Sequence, residues 1–219
     1  MTASHLDETR AGYDSVADLY ADLFSTAYLD MPFDLGMINA FGRLARDAGP
    51  VADLGCGPGH LTAHLRSLGC DAFGADVSAE MIRIARAAHP GVRFDHAPMT
   101  EVDVRDGELG GVLAWYSIIH APVEDVPGLL AAFHRMLAPG GHLLLGFFVS
   151  DSGEPVPFDH KVAPATRWPI DALADLTTEA GFTEVARQRR EPTEGERHRQ
   201  GHLLVRKSAE DGDRDGAQA

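Results

Sequence analysis

The chain has 219 residues, 44% of them apolar, and a formal net charge of −14, which describes a globular domain with enough chain for a core. Such a surface repels a phosphate backbone and counts against nucleic acid as a partner, because the one basic cluster, Arg187 to Arg190 with Arg197, His198 and Arg199, is interleaved with Glu191, Glu194 and Glu196. Cys56 and Cys70 are too few for a disulfide framework or a zinc site, no apolar run approaches the roughly 20 residues of a membrane span, and the polar start lacks the order of a signal peptide; the expectation is a cytoplasmic protein with no membrane partner.

Residues 1–9 carry no period and read as frayed. Over residues 10–29, Tyr13, Val16, Ala17, Leu19, Tyr20, Leu23, Phe24 and Tyr28 recur at three- and four-residue spacings, an amphipathic helix with an aromatic face. Met31-Pro32-Phe33 interrupts it. Helical spacing resumes over residues 34–48 with Leu35, Ile38, Phe41 and Leu44, and Gly49-Pro50 ends it.

The next stretch organises the chain. A short apolar strand over 51–54 contains Asp53 and runs into glycines at 55, 57 and 59; Leu61, Leu65 and Leu68 then take the spacing of one helix face. Strand, tight turn and helix put the amides of the helix start against whatever ligand lies on the turn. The dinucleotide fingerprint wants a glycine where His60 stands, so the spacing is G-x-G-x-G rather than G-x-G-x-x-G. A second strand, 72–76, ends in Asp76, an acid placed to accept from both hydroxyls of a ribose. Ser78 is a suitable N-cap for a helix over Ala79 to Ala88.

Val92 to Phe94 reads as a short third strand. A continuous apolar run begins at Gly111 and leads to Trp115, Tyr116 and His120, as a strand buried on both faces does. A helix from Pro127 carries Leu129, Leu130, Phe133 and Leu137 and stops at Pro139-Gly140-Gly141; His142 to Val149 is a fifth strand. Residues 150–168 have no period and hold Pro155, Pro157 and Pro164, the profile of a functional or disordered loop. A helix from Pro169 to Gly181 follows, then two strands, Phe182 to Arg189 and His202 to Arg206, joined by a polar hairpin. Residues 208–219 are acidic with nothing to bury and are expected to be disordered. Alternating strands and helices imply an α/β, doubly wound, mostly parallel sheet with helices on both faces, and ligands in such sheets bind at the carboxyl ends of the strands.

Two motifs together, Asp53-Leu54-Gly55-Cys56-Gly57-Pro58-Gly59 and Asp76-Val77-Ser78-Ala79-Glu80-Met81, resemble those of the class I S-adenosylmethionine-dependent methyltransferases. The resemblance covers about residues 10–207. It implies a Rossmann-like methyltransferase domain with a seven-stranded sheet whose last strand is antiparallel, an N-terminal helical lid at 10–48 and a substrate loop at 150–168. It also implies S-adenosylmethionine as cofactor, S-adenosylhomocysteine as product and a small-molecule acceptor, with the protein a monomer or homodimer.

By the same resemblance, Gly55, Cys56 and Gly57 lie under the methionyl and ribose parts, Asp53 holds the amino group directly or through water, Asp76 holds the ribose hydroxyls, and Val77 and Met81 flank the adenine. Tyr13 and Tyr20 cover the cofactor, and the Tyr116 carbonyl holds the methionyl amine. The family often has an acid after its third strand where this chain has Ala97-Pro98-Met99; the adenine contact then falls to the backbone near Met99, since Pro98 offers neither acid nor amide. Read from the residues alone, the alternative for Asp53 is a turn-capping carboxylate and for Asp76 a surface acid at a strand end. His120 is the candidate general base, because an unperturbed imidazole titrates near operating pH; its alternative role is to cap a helix or position substrate. Tyr13, Tyr20, His160 and Trp168 are further residues at the acceptor end. No two histidines take a metal-ligand spacing with an acid nearby. A non-catalytic protein that binds the cofactor, as a sensor or an inactive partner subunit, is the alternative from another class. A nicotinamide oxidoreductase is a third, disfavoured by His60.

Overall fold

Alternate residues along the central strands enter opposite cores, and that alternation builds the architecture. In β4 (Leu109–Trp115), Val112 and Ala114 join one apolar cluster and Leu113 the other; in β5 (Leu137–Phe148), Leu143, Leu145 and Phe147 oppose Leu144. The same split holds in β1 (Val51–Leu54) and in β9 (Gln200–Lys207). Helices α2 (Pro32–Ala45) and α3 (His60–Ser67) supply Ile38, Phe41, Leu61 and Leu65 to one cluster; α5 (Val126–Met136) and α6 (Ile170–Glu179) supply Leu130, Phe133 and Leu173 to the other.

The computed structural model describes residues 3–24 and 30–208. With β2 (Ala72–Asp76), β3 (Phe94–His96) and β8 (Phe182–Arg190) added, the seven-stranded order is β3-β2-β1-β4-β5-β9-β8. The first five strands are parallel; β9 runs antiparallel to β5, and β8 antiparallel to β9. The order reverses between β1 and β4, so their carboxyl ends form the crevice where such sheets take ligands. Helix α4 (Ala79–Ala88) starts at that end, capped by Ser78, whose hydroxyl accepts from the Met81 amide at 3.1 Å.

Several boundaries differ from the sequence expectation. The first helix, α1 (Ala3–Phe24), begins well before residue 10, because Leu6 and Thr9 continue inward the face that Tyr13, Ala17 and Tyr20 occupy, a period too polar to register in hydropathy. Leu19 and Leu23, expected on that face, are 61% and 60% exposed. Pro32 opens α2 rather than only ending its predecessor, since proline at the first helical position forfeits no intrahelical bond. The third strand sits two residues later than expected, and β4 ends at Trp115, with a 3-10 turn over Ile118–His120. Inside 150–168 lies an antiparallel ribbon of β6 (Val156–Asp159) and β7 (Pro164–Arg167); a two-stranded ribbon is all edge, where prolines are tolerated. Tyr28 and residues 209–219 of the expected tail lie outside the described residues.

Most of the basic cluster is paired with acids. Arg190 clamps Asp34 of α2 with both its Nε (2.6 Å) and Nη2 (2.8 Å) and also pairs with Glu196 at 2.5 Å. Arg187 pairs with Glu184 and Asp171, and Arg199 with Glu191 and Asp151. Among the described residues, no helix is long and apolar enough to cross a membrane.

Helix α1 is seated at two places. Asp14 accepts from the Ser78 hydroxyl at 2.6 Å and from the Glu80 amide at 3.2 Å. On its other side, Gly12 lies so close to the segment before β7 that a Cβ there would stand 2.3 Å from the Val162 carbonyl oxygen. Gly12→Ala should therefore unseat the helix even though alanine favours helix by about 1 kcal/mol. Hydrogen exchange is expected to accelerate over residues 3–24 while the sheet stays protected; unchanged exchange in α1 would show that the close approach is not what seats it.

Candidate active site

A cavity of ≈ 80 Å³ opens at the carboxyl ends of β1, β2 and β4. Ten of the residues singled out from the sequence line it: Gly55 and Gly57 from the first turn, Asp76, Val77 and Met81 from the second motif, Met99, Tyr116 and His120 beyond them, and Tyr13 and Tyr20 from α1. Asp53, Cys56 and Pro98 do not line it. Thr9, Ala97, Trp115 and Ser117 also line it; of these only Thr9 lay outside the segments that sequence reasoning had turned toward the cofactor. Thr9 fell in a stretch without apparent period, whereas Trp115 and Ser117 stand at the end of the fourth strand, the segment expected to face the cofactor and acceptor.

The three glycines of the turn serve different purposes. A Cβ on Gly55 would stand 2.4 Å from the Cβ of Ser117, and one on Gly59 would stand 2.6 Å from the Phe94 ring. Both are needed for packing. At Gly57, where φ is 53°, a Cβ would meet only the Met81 sulfur at 4.0 Å. There the bare backbone faces the cavity, as a ligand cradle requires. Asp76 stands across from it. Its Oδ2 accepts from the Gly57 amide at 2.9 Å and its Oδ1 from the Ser78 amide at 2.8 Å. Each carboxylate oxygen has a second lone pair left for a hydroxyl. Burial raises the Asp76 pKa, against the two amides, which lower it. The Ser117 hydroxyl is buried on the cavity wall with no hydrogen-bond partner. An orphaned polar atom beside an open glycine and a half-satisfied carboxylate fits a polar ligand such as S-adenosylmethionine.

Asp53 lies behind the turn rather than in the cavity, accepting from the Thr62 hydroxyl at 2.7 Å. Burial raises its pKa to about 7, with Asp76 adding to the rise and Thr62 opposing it. Cys56 faces the opposite way. It packs with Ile82 and Phe94, and burial pushes its thiol well above the ordinary range.

The far wall carries the histidine. Tyr116 has φ 53°, a left-handed conformation that non-glycine residues rarely adopt. It is held by its amide on the Gly146 carbonyl (2.9 Å) and its hydroxyl on Gln200 (2.5 Å), and the bend sends the chain into the turn that presents His120. His120 Nδ1 lies 2.9 Å from the Pro164 carbonyl, which can only accept, so Nδ1 carries the proton. Nε2 is left to accept from the Tyr13 hydroxyl at 2.8 Å. Burial lowers the His120 pKa to about 4, with His160 adding to the fall and Pro164 opposing it. The near-neutral titration that drew attention to His120 in the sequence is thus absent; its fixed tautomer is what keeps it a proton acceptor. His160 stacks edge-on against it, ring centroids 5.2 Å apart. Trp168, expected at the acceptor end, is instead core, fully buried beside Leu173 and Phe147.

The profile of a family described as "methyltransferase domain" matches residues 51–141. N-demethylindolmycin N-methyltransferase of Streptomyces griseus is 32% identical over 102 residues, which are 44% of this chain and 43% of that protein. Malonyl-[acyl-carrier protein] O-methyltransferase of Erwinia billingiae is 30% identical over 135 residues, 59% of this chain and 53% of that one. The matched stretch thus spans about half the length of these curated relatives. Among solved structures, the 1,6-didemethyltoxoflavin-N1-methyltransferase of Burkholderia thailandensis, bound to 1,6-didemethyltoxoflavin and S-adenosylhomocysteine, superposes with a TM-score of 0.62 over 88% of this chain and 90% of that one. Its 24% identity makes this a likeness of fold.

The raised pKa of Asp53 has a consequence for stability. A buried acid that holds its proton more tightly when folded costs nothing below its unfolded pKa and progressively destabilises the fold as pH rises through the folded value. Asp53→Asn keeps an acceptor for Thr62 and removes the charge. Its melting temperature should exceed the wild type's at pH 8, and the gain should shrink by pH 5; a gain independent of pH, or a loss at pH 8, would mean that Asp53 is ionised at no cost.

Proposed function

We propose that this chain is an S-adenosylmethionine-dependent methyltransferase, as the match of a methyltransferase-domain profile to residues 51–141 supports, and that it transfers the methyl group to a hydroxyl, amine or carboxylate of a small metabolite. The observation that carries the reading is the cradle made by Gly57, Asp76 and the orphaned Ser117 hydroxyl beside a histidine of fixed tautomer. S-adenosylmethionine supplies the electrophile, a methyl on a sulfonium, so proximity and orientation account for most of the catalysis.

The residues divide that work. Asp76 accepts from the ribose hydroxyls on the lone pairs that Gly57 and Ser78 leave open. Val77, Met81 and Met99 provide the apolar walls for the adenine, and Tyr116 provides a carbonyl at the methionyl end. Asp53 acts through the turn and Thr62 rather than by touching the cofactor. Tyr13 and Tyr20 exclude water from above. His120 holds a lone pair at Nε2, to which the acceptor's proton passes once the Tyr13 hydroxyl gives way. The acceptor enters between α1 and the ribbon β6–β7. A small acceptor is supported by the narrow crevice, ≈ 80 Å³, and by the pairing of Arg187, Arg190 and Arg199 with acids.

Release of S-adenosylhomocysteine from S-adenosylmethionine across a panel of small O- and N-acceptors tests the reading. An acceptor-dependent release is expected; cofactor binding with no turnover on any acceptor class would leave a binding protein. With the acceptor found, His120→Ala should lower kcat by about 100-fold or more while leaving cofactor affinity nearly unchanged. Because burial keeps the imidazole neutral down to about pH 4, the wild-type rate should not fall between pH 8 and pH 6 on account of this group. Retained kcat in the variant assigns the proton to another acceptor.

A further inference from the structure

A second cleft, of ≈ 170 Å³, lies between the ribbon β6–β7 and the loop that joins β8 to β9. Its walls are mostly charged, and the charges do not cancel. Arg199 is paired with both acids of the cleft, Glu191 (Nε, 2.8 Å) and Asp151, and Asp151 also takes Arg189 at 3.0 Å. That leaves Arg167 and Arg197 with no carboxylate partner among the described residues. Arg197 donates only to the Asp159 carbonyl, at 3.2 Å. Arg167 stands over the Phe158 ring, 6.0 Å from its centroid, and its Nε is buried without a hydrogen-bond partner. His198 lines the same cleft. Burial lowers its pKa first, and the two guanidiniums Arg167 and Arg197 lower it further, with no acid acting against them.

Two unneutralised guanidiniums and an imidazole converging in a chain of net charge −14 have one kind of complement, an oxyanion that accepts from planar donors. A row of rings connects this cleft with the methyl-transfer site. The ring centroids of His120 and His160 are 5.2 Å apart, those of His160 and Phe158 5.9 Å, and those of Phe158 and His198 4.9 Å. Phe148, at the end of β5, closes the row from beneath, 5.3 Å from Phe158 and 5.0 Å from Tyr116. His160 adds a buried Nδ1 without a partner.

We propose that Arg167, Arg197 and His198 form a subsite for the anionic group, a carboxylate or a phosphate monoester, of a flat acceptor whose body lies along Phe158 and His160 toward His120. That the bound molecule is an acceptor rests on the methyltransferase reading; that the cleft binds an anion does not. The subsite selects acceptors by charge at the end opposite to the methylated atom, which explains why a strongly acidic protein keeps two arginines unpaired beside its crevice.

Calorimetry on the full chain, with and without S-adenosylhomocysteine, tests this with phenyl phosphate, benzoate and neutral benzyl alcohol. At least one of the two anions should bind where benzyl alcohol does not, and the tighter of them identifies the group. Arg167→Gln and the exposed Arg197→Gln should each weaken that binding about tenfold or more, with the affinity for S-adenosylhomocysteine unchanged. Binding of the alcohol as tightly as the anions, anion affinity indifferent to both substitutions, or no anion binding overturns the subsite. Anion binding in a protein that does not bind S-adenosylhomocysteine would leave the subsite standing and remove the methyltransferase reading; the converse would do the opposite.

Discussion

The carboxylate of Asp76 ties the crevice together. One of its oxygens accepts from the Gly57 amide and the other from the Ser78 amide, so the turn after β1 and the start of α4 are both set by one side chain. The parallel register that pairs Leu54 with Ala75 brings the turn to that carboxylate, and the Gly55 and Cys56 amides both donate to the Ala75 carbonyl, at 2.8 and 3.0 Å. Ser78 then caps α4 and donates its hydroxyl to Asp14 of α1. A change at Asp76 therefore reaches the glycine turn, the helix cap and the covering helix together. That is a reason for a buried acid to be kept where burial raises its pKa.

The second constraint is the seating of α1. It reaches the start of α4 through Asp14, the turn after β4 through the Tyr13 hydroxyl on His120, and the segment before β7 through the close approach of Gly12 to Val162. The polar contacts that hold this helix over the crevice are a few hydrogen bonds, each worth about 1 kcal/mol net. Exposed Leu19 and Leu23 on its outer side show that its apolar content only partly drives docking. The cleft lined by Arg167, Arg197 and His198 lies beside the same ribbon whose Pro164 carbonyl holds His120.

Much of the fold was legible because apolar runs and breakers agree. The run over β4, the proline and glycines before β5, and Ser78 before α4 each mark an element by its own chemistry. Asp76 and Gly57 were legible as a pair because a strand end and a turn were separately visible. The misses have physical causes. Residues 3–9 hold a helix through Leu6 and Thr9, one of them polar, so no hydropathy period signals it. The ribbon β6–β7 is four residues a side and carries prolines, which argue against a strand unless it is an edge. Ser117 lines the crevice only because Gly55 lets it approach, a tertiary contact invisible in sequence. The depressed pKa of His120 depends on burial by α1 and the ribbon, so its basicity could not be read from residue type. Arg197 looked like part of a basic cluster interleaved with acids until the pairing of Arg199 and Arg190 showed which arginines were spoken for.

The most direct test of the central claim is a calorimetric titration of S-adenosylmethionine and S-adenosylhomocysteine into the wild type and Asp76→Ala, with a reduced nicotinamide cofactor as comparison. The account predicts dissociation constants on the order of micromolar for the first two ligands, none for the third, and a loss of about 1–3 kcal/mol in the variant. Undiminished affinity in Asp76→Ala, or nicotinamide binding in place of S-adenosylmethionine, would contradict it.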